Sequence, residues 1–122
     1  MVSLFNFGWF KLHSGRRSSF KIDCDALSDD DLTNLAKVVS RHFKFGNVIG
    51  IATGGLRFAD ALRHYQTDLH PNTLIVDDVL TTGKSMEEAK VSSGCDPQYC
   101  WGIVISARRK CPIWIWPIFT LD

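Results

Sequence analysis

Apolar positions along the chain follow two different periods. Leu32, Leu35, Ala36, Val39 and Phe43 recur at helical spacing and share one face. Ser28 precedes them as an N-cap with Asp31 three positions on, and Asp29-Asp30-Asp31 places negative charge where a helix dipole is positive. A helix is predicted from this start, and the acid run reads as its solvated first turn rather than as a metal site. Three other runs are short and apolar: residues 47–52, Leu74-Ile75-Val76 and 101–105. Such runs suit strands covered on both faces, as in a parallel sheet. Turns rich in glycine and hydroxyl residues follow the first two, and a helix is predicted after each, through about Tyr65 and over 85–90. The last strand, predicted over 111–119, carries Pro112 and Pro117, which demote it to an edge or interrupted strand. Its exposed tryptophans and isoleucines are expected to cover a hairpin or form a dimer surface. That hairpin is predicted over 9–24, where Phe20, Ile22 and Cys24 alternate with Lys21 and Asp23 after a Ser14-Gly15-Arg16-Arg17-Ser18 turn. Strands alternating with helices predict a single α/β domain over 1–122, with a mostly parallel central sheet flanked by helices, the hairpin at 9–24 and the α/β core at 28–122.

Charge narrows the choice of partner. Lys and Arg number 14 against 13 Asp and Glu, for a formal net charge of +1, so bulk electrostatics favour neither nucleic acid nor an anionic membrane. Any anion site must be built locally. No apolar run approaches membrane-spanning length, and residues 1–6 lack a basic stretch leading into a secretory core, so a cytoplasmic protein is expected. Cys24, Cys95, Cys100 and Cys111 form no C-x-x-C pair, and the histidines do not fall at zinc-finger spacing. Free thiols are expected, with a Cys95–Cys100 bridge left open.

The densest chemistry lies in residues 73–90. Asp77 and Asp78 stand where the 74–76 strand emerges, followed by Thr81-Thr82-Gly83-Lys84-Ser85 and a helix former. A strand, a tight polar turn and a helix N-terminus make an anion site, because unpaired amides and the helix dipole converge there. Gly83-Lys84-Ser85 has the ending of a nucleotide-triphosphate loop, but that motif requires glycine where Asp78 stands. Carboxylates suit a vicinal diol, as on the ribose of dinucleotides. Paired acids beside a phosphate cradle therefore suggest a ribose 5-phosphate, with the diol on Asp77 and Asp78 and the phosphate on 81–85. A capped helix with two solvated aspartates has the same composition.

These residues resemble the phosphoribosyl pyrophosphate (PRPP) signature of the type I phosphoribosyltransferases: an apolar strand, two acids, small residues, then a Thr-Thr-Gly-type turn. The resemblance implies a Rossmann-like fold with an N-terminal hairpin, and PRPP on Asp77, Asp78, Thr81, Thr82, Gly83, Lys84 and Ser85. It also implies a pyrophosphate loop at Thr53, Gly54, Gly55, Leu56 and Arg57, one strand earlier; by residue type alone, Arg57 is equally a surface arginine. Phe10-Lys11-Leu12-His13-Ser14-Gly15 and Ser18 are similar to the opening of orotate phosphoribosyltransferase, which implies base-binding by His13, Ser14, Gly15 and Phe20. His13 replaces a lysine usual there. Arg108, just past the 101–105 strand, matches an arginine that meets the base's carboxylate; a solvated basic turn fits it as well. His13 and Arg108 are the catalytic candidates. The long catalytic loop of those enzymes has no counterpart in 58–73, where His64, His70 and Arg63 are the nearest substitutes.

The activity implied is transfer of ribose 5-phosphate from PRPP to a base, orotate-like by preference, with Mg²⁺ carried mainly by PRPP, no dedicated metal site and a homodimeric protein. A PRPP- or nucleotide-binding regulator that lost catalysis, and a transferase for another base, are the rival readings.

Overall fold

The computed structural model describes residues 24–120. Helix α1 (Asp29–His42) starts as predicted: the Ser28 side chain accepts from the Asp31 amide while the Asp31 carboxylate accepts from the Ser28 amide, a complete capping box. Its apolar face, Leu32, Leu35, Ala36 and Val39, is buried. Then follow β1 (Asn47–Gly50), α2 (Leu56–Arg63), β2 (Thr73–Leu80), α3 (Lys84–Ser93), β3 (Cys100–Ala107) and β4 (Ile115–Thr120). The strands pair in the order β1-β2-β3-β4, all parallel.

Helices α1 and α2 cover one face of the sheet, where Leu74, Val76, Ile103 and Ile105 join Phe45, Phe58 and Leu62 in one buried cluster. The other face carries Ile75, Leu80, Val104 and Ile115 with Met86 of α3 in a second. Burial on both faces explains why the central strands read as unbroken apolar runs instead of alternating.

Three expectations need correction. Cys24 does not end a hairpin strand; it opens a 3₁₀ turn, Cys24–Ala26, and the rest of the predicted 9–24 hairpin lies outside the described residues. The last strand begins at Ile115, not near Cys111, because residues 108–114 must return from the far end of β3 to the level of Gly102, which pairs with Ile115. Its tryptophans are not freely exposed either. Trp116 packs with tilted rings against Phe43 and His42 at the end of α1, at 4.8 and 5.5 Å between ring centroids. Trp114 donates its indole N–H to Glu87 of α3, and the Lys90 ammonium lies 4.5 Å from its ring centre. Of its tryptophans and isoleucines Ile113 alone stands out into solvent, 99% exposed. Edge position does hold for Pro117, whose strand pairs only with β3 among the described residues.

Cys95, Cys100 and Cys111 are free thiols, so no bridge joins Cys95 to Cys100. Among the described residues no helix is long and apolar enough to cross a membrane.

Candidate functional site

Parallel strands bring all their carboxyl ends to one edge, and ligands of open α/β sheets gather there. In this chain the edge collects the 51–55 turn after β1, the end of β2 with its 81–83 turn, and Arg108 after β3. The strand carrying the acids is longer than its apolar core suggests: β2 runs to Leu80, so Asp77 and Asp78 lie within it, and Asp77 still pairs with Val104.

Adjacent strand residues point to opposite faces. Asp78 follows Val76 to the α1/α2 side and lines a cleft of about 320 Å³ with Thr53, Gly54, Leu56 and Arg57. Asp77 follows Ile75 to the α3 side and lines a smaller recess with Thr81, Thr82, Gly83 and Ser85. One strand thus separates two candidate pockets, each with an acid, while the Asp78 amide donates to Asp77 Oδ1 at 2.8 Å. The Asp78 carboxylate is held in place by the Val79 amide, 2.7 Å away.

The recess on the α3 side has the makings of an anion cradle. Gly83 takes φ +84°, a left-handed conformation open to glycine at little cost, and turns the chain from β2 into α3. No side chain caps α3 there. Lys84 spends its amide on the Thr82 hydroxyl, at 3.2 Å, and its side chain is exposed at the rim. The rest of the first helical turn keeps its amides available to an anion.

Burial, then the hydrogen bond to Asp78, pushes the Asp77 carboxyl up from 3.8 to about 7, against a lowering by the Asp78 amide. A raised carboxyl stabilises the folded chain fully below the unfolded value near 3.8, and that contribution disappears as pH rises through about 7. Ionised Asp77 is also the better acceptor for a sugar hydroxyl. Affinity for a ribose phosphate is therefore expected to rise from pH 6 to 8 while the melting temperature falls. Both trends should flatten in Asp77→Asn, and titration calorimetry with thermal melts across that range would measure them.

The 53–57 loop fits against β2 with no room to spare. A Cβ on Gly54 would lie 2.3 Å from Asp78 Oδ2, and one on Gly55 would lie 2.3 Å from the Val76 carbonyl oxygen. The Ala52–Thr53 peptide is cis. Arg57 borders the cleft, but its Nη2 donates to the Leu27 carbonyl at 2.9 Å and to Asp29 at 3.1 Å. Arg108 is exposed at the same edge, its amide bonded to the Leu80 carbonyl at 3.0 Å.

The histidines do not join this group. His70 lies in the turn before β2, where its Nδ1 accepts from the Asn72 amide; this is the amino end of the sheet. His64 caps the far end of α2 and lines a separate cleft between α1 and α2. Arg63 is engaged by Asp60 and the Val48 carbonyl. His13, Ser14, Gly15 and Phe20 lie outside the described residues. The cleft also contains residues with no chemical signal in the sequence: Cys24, Leu32, Phe58 and Ile105. Leu32, Phe58 and Ile105 read as core positions, and only the junction of α1, α2 and β3 turns them into a wall.

No protein-family model matches the chain, and no curated protein is similar to it by sequence. Solved structures are similar. A purine phosphoribosyltransferase from Pyrococcus horikoshii Ot3 superposes with a TM-score of 0.55 at 22% identity, over 75% of this chain and 81% of that one. The UMP synthase of Leishmania donovani superposes with a TM-score of 0.60 at 20% identity, over 94% of this chain but only 33% of that one. The fold is the Rossmann-like α/β fold of the type I phosphoribosyltransferases.

Proposed function

We propose that the chain binds PRPP across the carboxyl edge of its sheet and transfers the ribose 5-phosphate to a ring nitrogen of a nucleobase, releasing pyrophosphate. The observation carrying this reading is the convergence of an uncapped helix start after Gly83, two acids on β2 and the close-fitting 53–57 loop on one edge. In the reaction a bond from anomeric carbon to base nitrogen forms as the bond to pyrophosphate oxygen breaks, through a cation-like sugar. The protein's part is positioning and charge stabilisation. The phosphate would rest on Thr81–Ser85, the ribose hydroxyls on Asp77 and Asp78, and the pyrophosphate along 53–57. Magnesium suits the oxygen-rich donor and the neighbouring carboxylates, and would stay mainly with PRPP. An acidic, orotate-like base would use Arg108, which is exposed beside the end of β2.

A second reading, PRPP or nucleotide binding without transfer, is favoured by the connection from α2 to β2. Residues 64–72 hold only short turns and the amino-end His70, with no segment long enough to close over the opposite edge. Single-turnover assays with PRPP, Mg²⁺ and orotate are expected to give binding and transfer far slower than ~10 s⁻¹, a typical enzyme rate. Binding with no transfer to orotate or any other base would leave the binding reading, and absence of PRPP binding would remove both. Arg108→Ala is expected to weaken orotate and spare PRPP; an equal loss for both ligands would give Arg108 a phosphate role instead.

A further inference from the structure

Arg57 stands on the border between two clefts, the one that holds Asp78 and a shallower one of about 280 Å³ between α1 and α2. Its guanidinium is not turned freely into either. The Leu27 carbonyl and the Asp29 carboxylate both accept from the same nitrogen, Nη2, at 2.9 and 3.1 Å. Among the described residues Nη1 and Nε have no partner.

The choice of nitrogen matters. A guanidinium offers an oxyanion two bidentate edges, Nη1 with Nη2 and Nε with Nη2, and both need an Nη2 hydrogen. With both Nη2 hydrogens spent on Leu27 and Asp29, neither fork is complete. On the reading that residues 53–57 receive pyrophosphate, we propose that Asp29 is the charged half of a latch that holds Arg57 out of bidentate anion binding until the ligand displaces it. Asp29 touches no ligand in this arrangement; it acts through Arg57. The latch is weak by construction, because the side chains of Arg57 and Asp29 are 50% and 95% exposed, so water screens the pair. A strongly charged anion can break it, while a weak one gains only the single-nitrogen contacts. Asp29 therefore sharpens preference for diphosphate over singly charged anions.

The test is titration of inorganic pyrophosphate into four proteins: wild type, Asp29→Ala, Asp30→Ala and Asp29→Ala with Arg57→Ala. Asp30 is exposed in the same helical turn, so its loss removes equal charge without touching Arg57. None of the substitutions removes a member of the Ser28–Asp31 capping box, and circular dichroism would verify α1. Asp29→Ala is expected to tighten pyrophosphate about two- to fivefold, the range open to an exposed ion pair. Asp30→Ala should do much less, and the gain should vanish without Arg57. Unchanged or weaker binding in Asp29→Ala, or an equal gain in Asp30→Ala, overturns the latch while wild-type binding keeps the anion site. No binding in any variant overturns the anion site and the latch with it.

Discussion

Asp78→Asn is expected to weaken PRPP binding by about 1–3 kcal/mol, the usual loss when a hydrogen bond to a charged group goes. That corresponds to roughly five- to 150-fold in Kd. The fold should not suffer. Asn has the same shape, and its Oδ1 can still accept from the Val79 amide that now holds Asp78. Removing one of two neighbouring carboxyls also relieves a repulsion that helps to raise Asp77. Titration calorimetry and a thermal melt on the same sample separate the two effects. Undiminished PRPP affinity in a variant that melts like the parent would take Asp78 out of the site.

The two glycines of the neighbouring loop should fail in different ways. At Gly54 a new methyl would meet the Asp78 carboxyl, with Oδ2, Cγ and Oδ1 at 2.3, 2.5 and 2.6 Å. A side chain can swing aside, so Gly54→Ala is expected to stay folded and lose most of its PRPP affinity, because the displaced group is the proposed ligand. At Gly55 the methyl would meet main chain: the Val76 carbonyl oxygen at 2.3 Å, the Ile51 carbonyl oxygen at 2.9 Å and Asp77 Cα at 3.0 Å. Strand backbone cannot yield without parting β1 from β2, and overpacking of this kind typically costs about 1–3 kcal/mol or more. Gly55→Ala should therefore melt well below the parent. Calorimetric melts and PRPP titrations of both variants check the contrast, and a Gly54→Ala protein with full affinity would show that the loop and Asp78 are not coupled.

Much of this architecture is legible without coordinates. The Ser28 cap and the spacing of Leu32, Leu35, Ala36 and Val39 determine α1, since capping and amphipathic burial are local properties. Unbroken apolar runs at 47–52, 74–76 and 101–105 mark strands covered on both faces, and their alternation with helices leads to a parallel sheet with Asp77 and Asp78 toward its carboxyl edge. The polar turn ending in Gly83 and the helix behind it are likewise written in residue types.

What tertiary structure alone decided is which side each group faces and what it touches. Asp77 and Asp78 are neighbours in sequence, yet strand alternation sends one to the α3 recess and the other to the α1/α2 cleft, so two similar acids acquire different surroundings. Arg57 reads as an anion ligand or a surface residue until the start of α1 and the residues just before it place Leu27 and Asp29 against its Nη2. Trp114 and Trp116 look exposed on an edge strand, but the return of 108–114 lays them on α3 and α1. His70 and the two acids are separated by only a few residues, and the length of β2 puts them at opposite ends of the sheet. In each case the deciding contact joins residues from different elements, and a periodicity read along one segment carries no information about the partner that another segment brings to it.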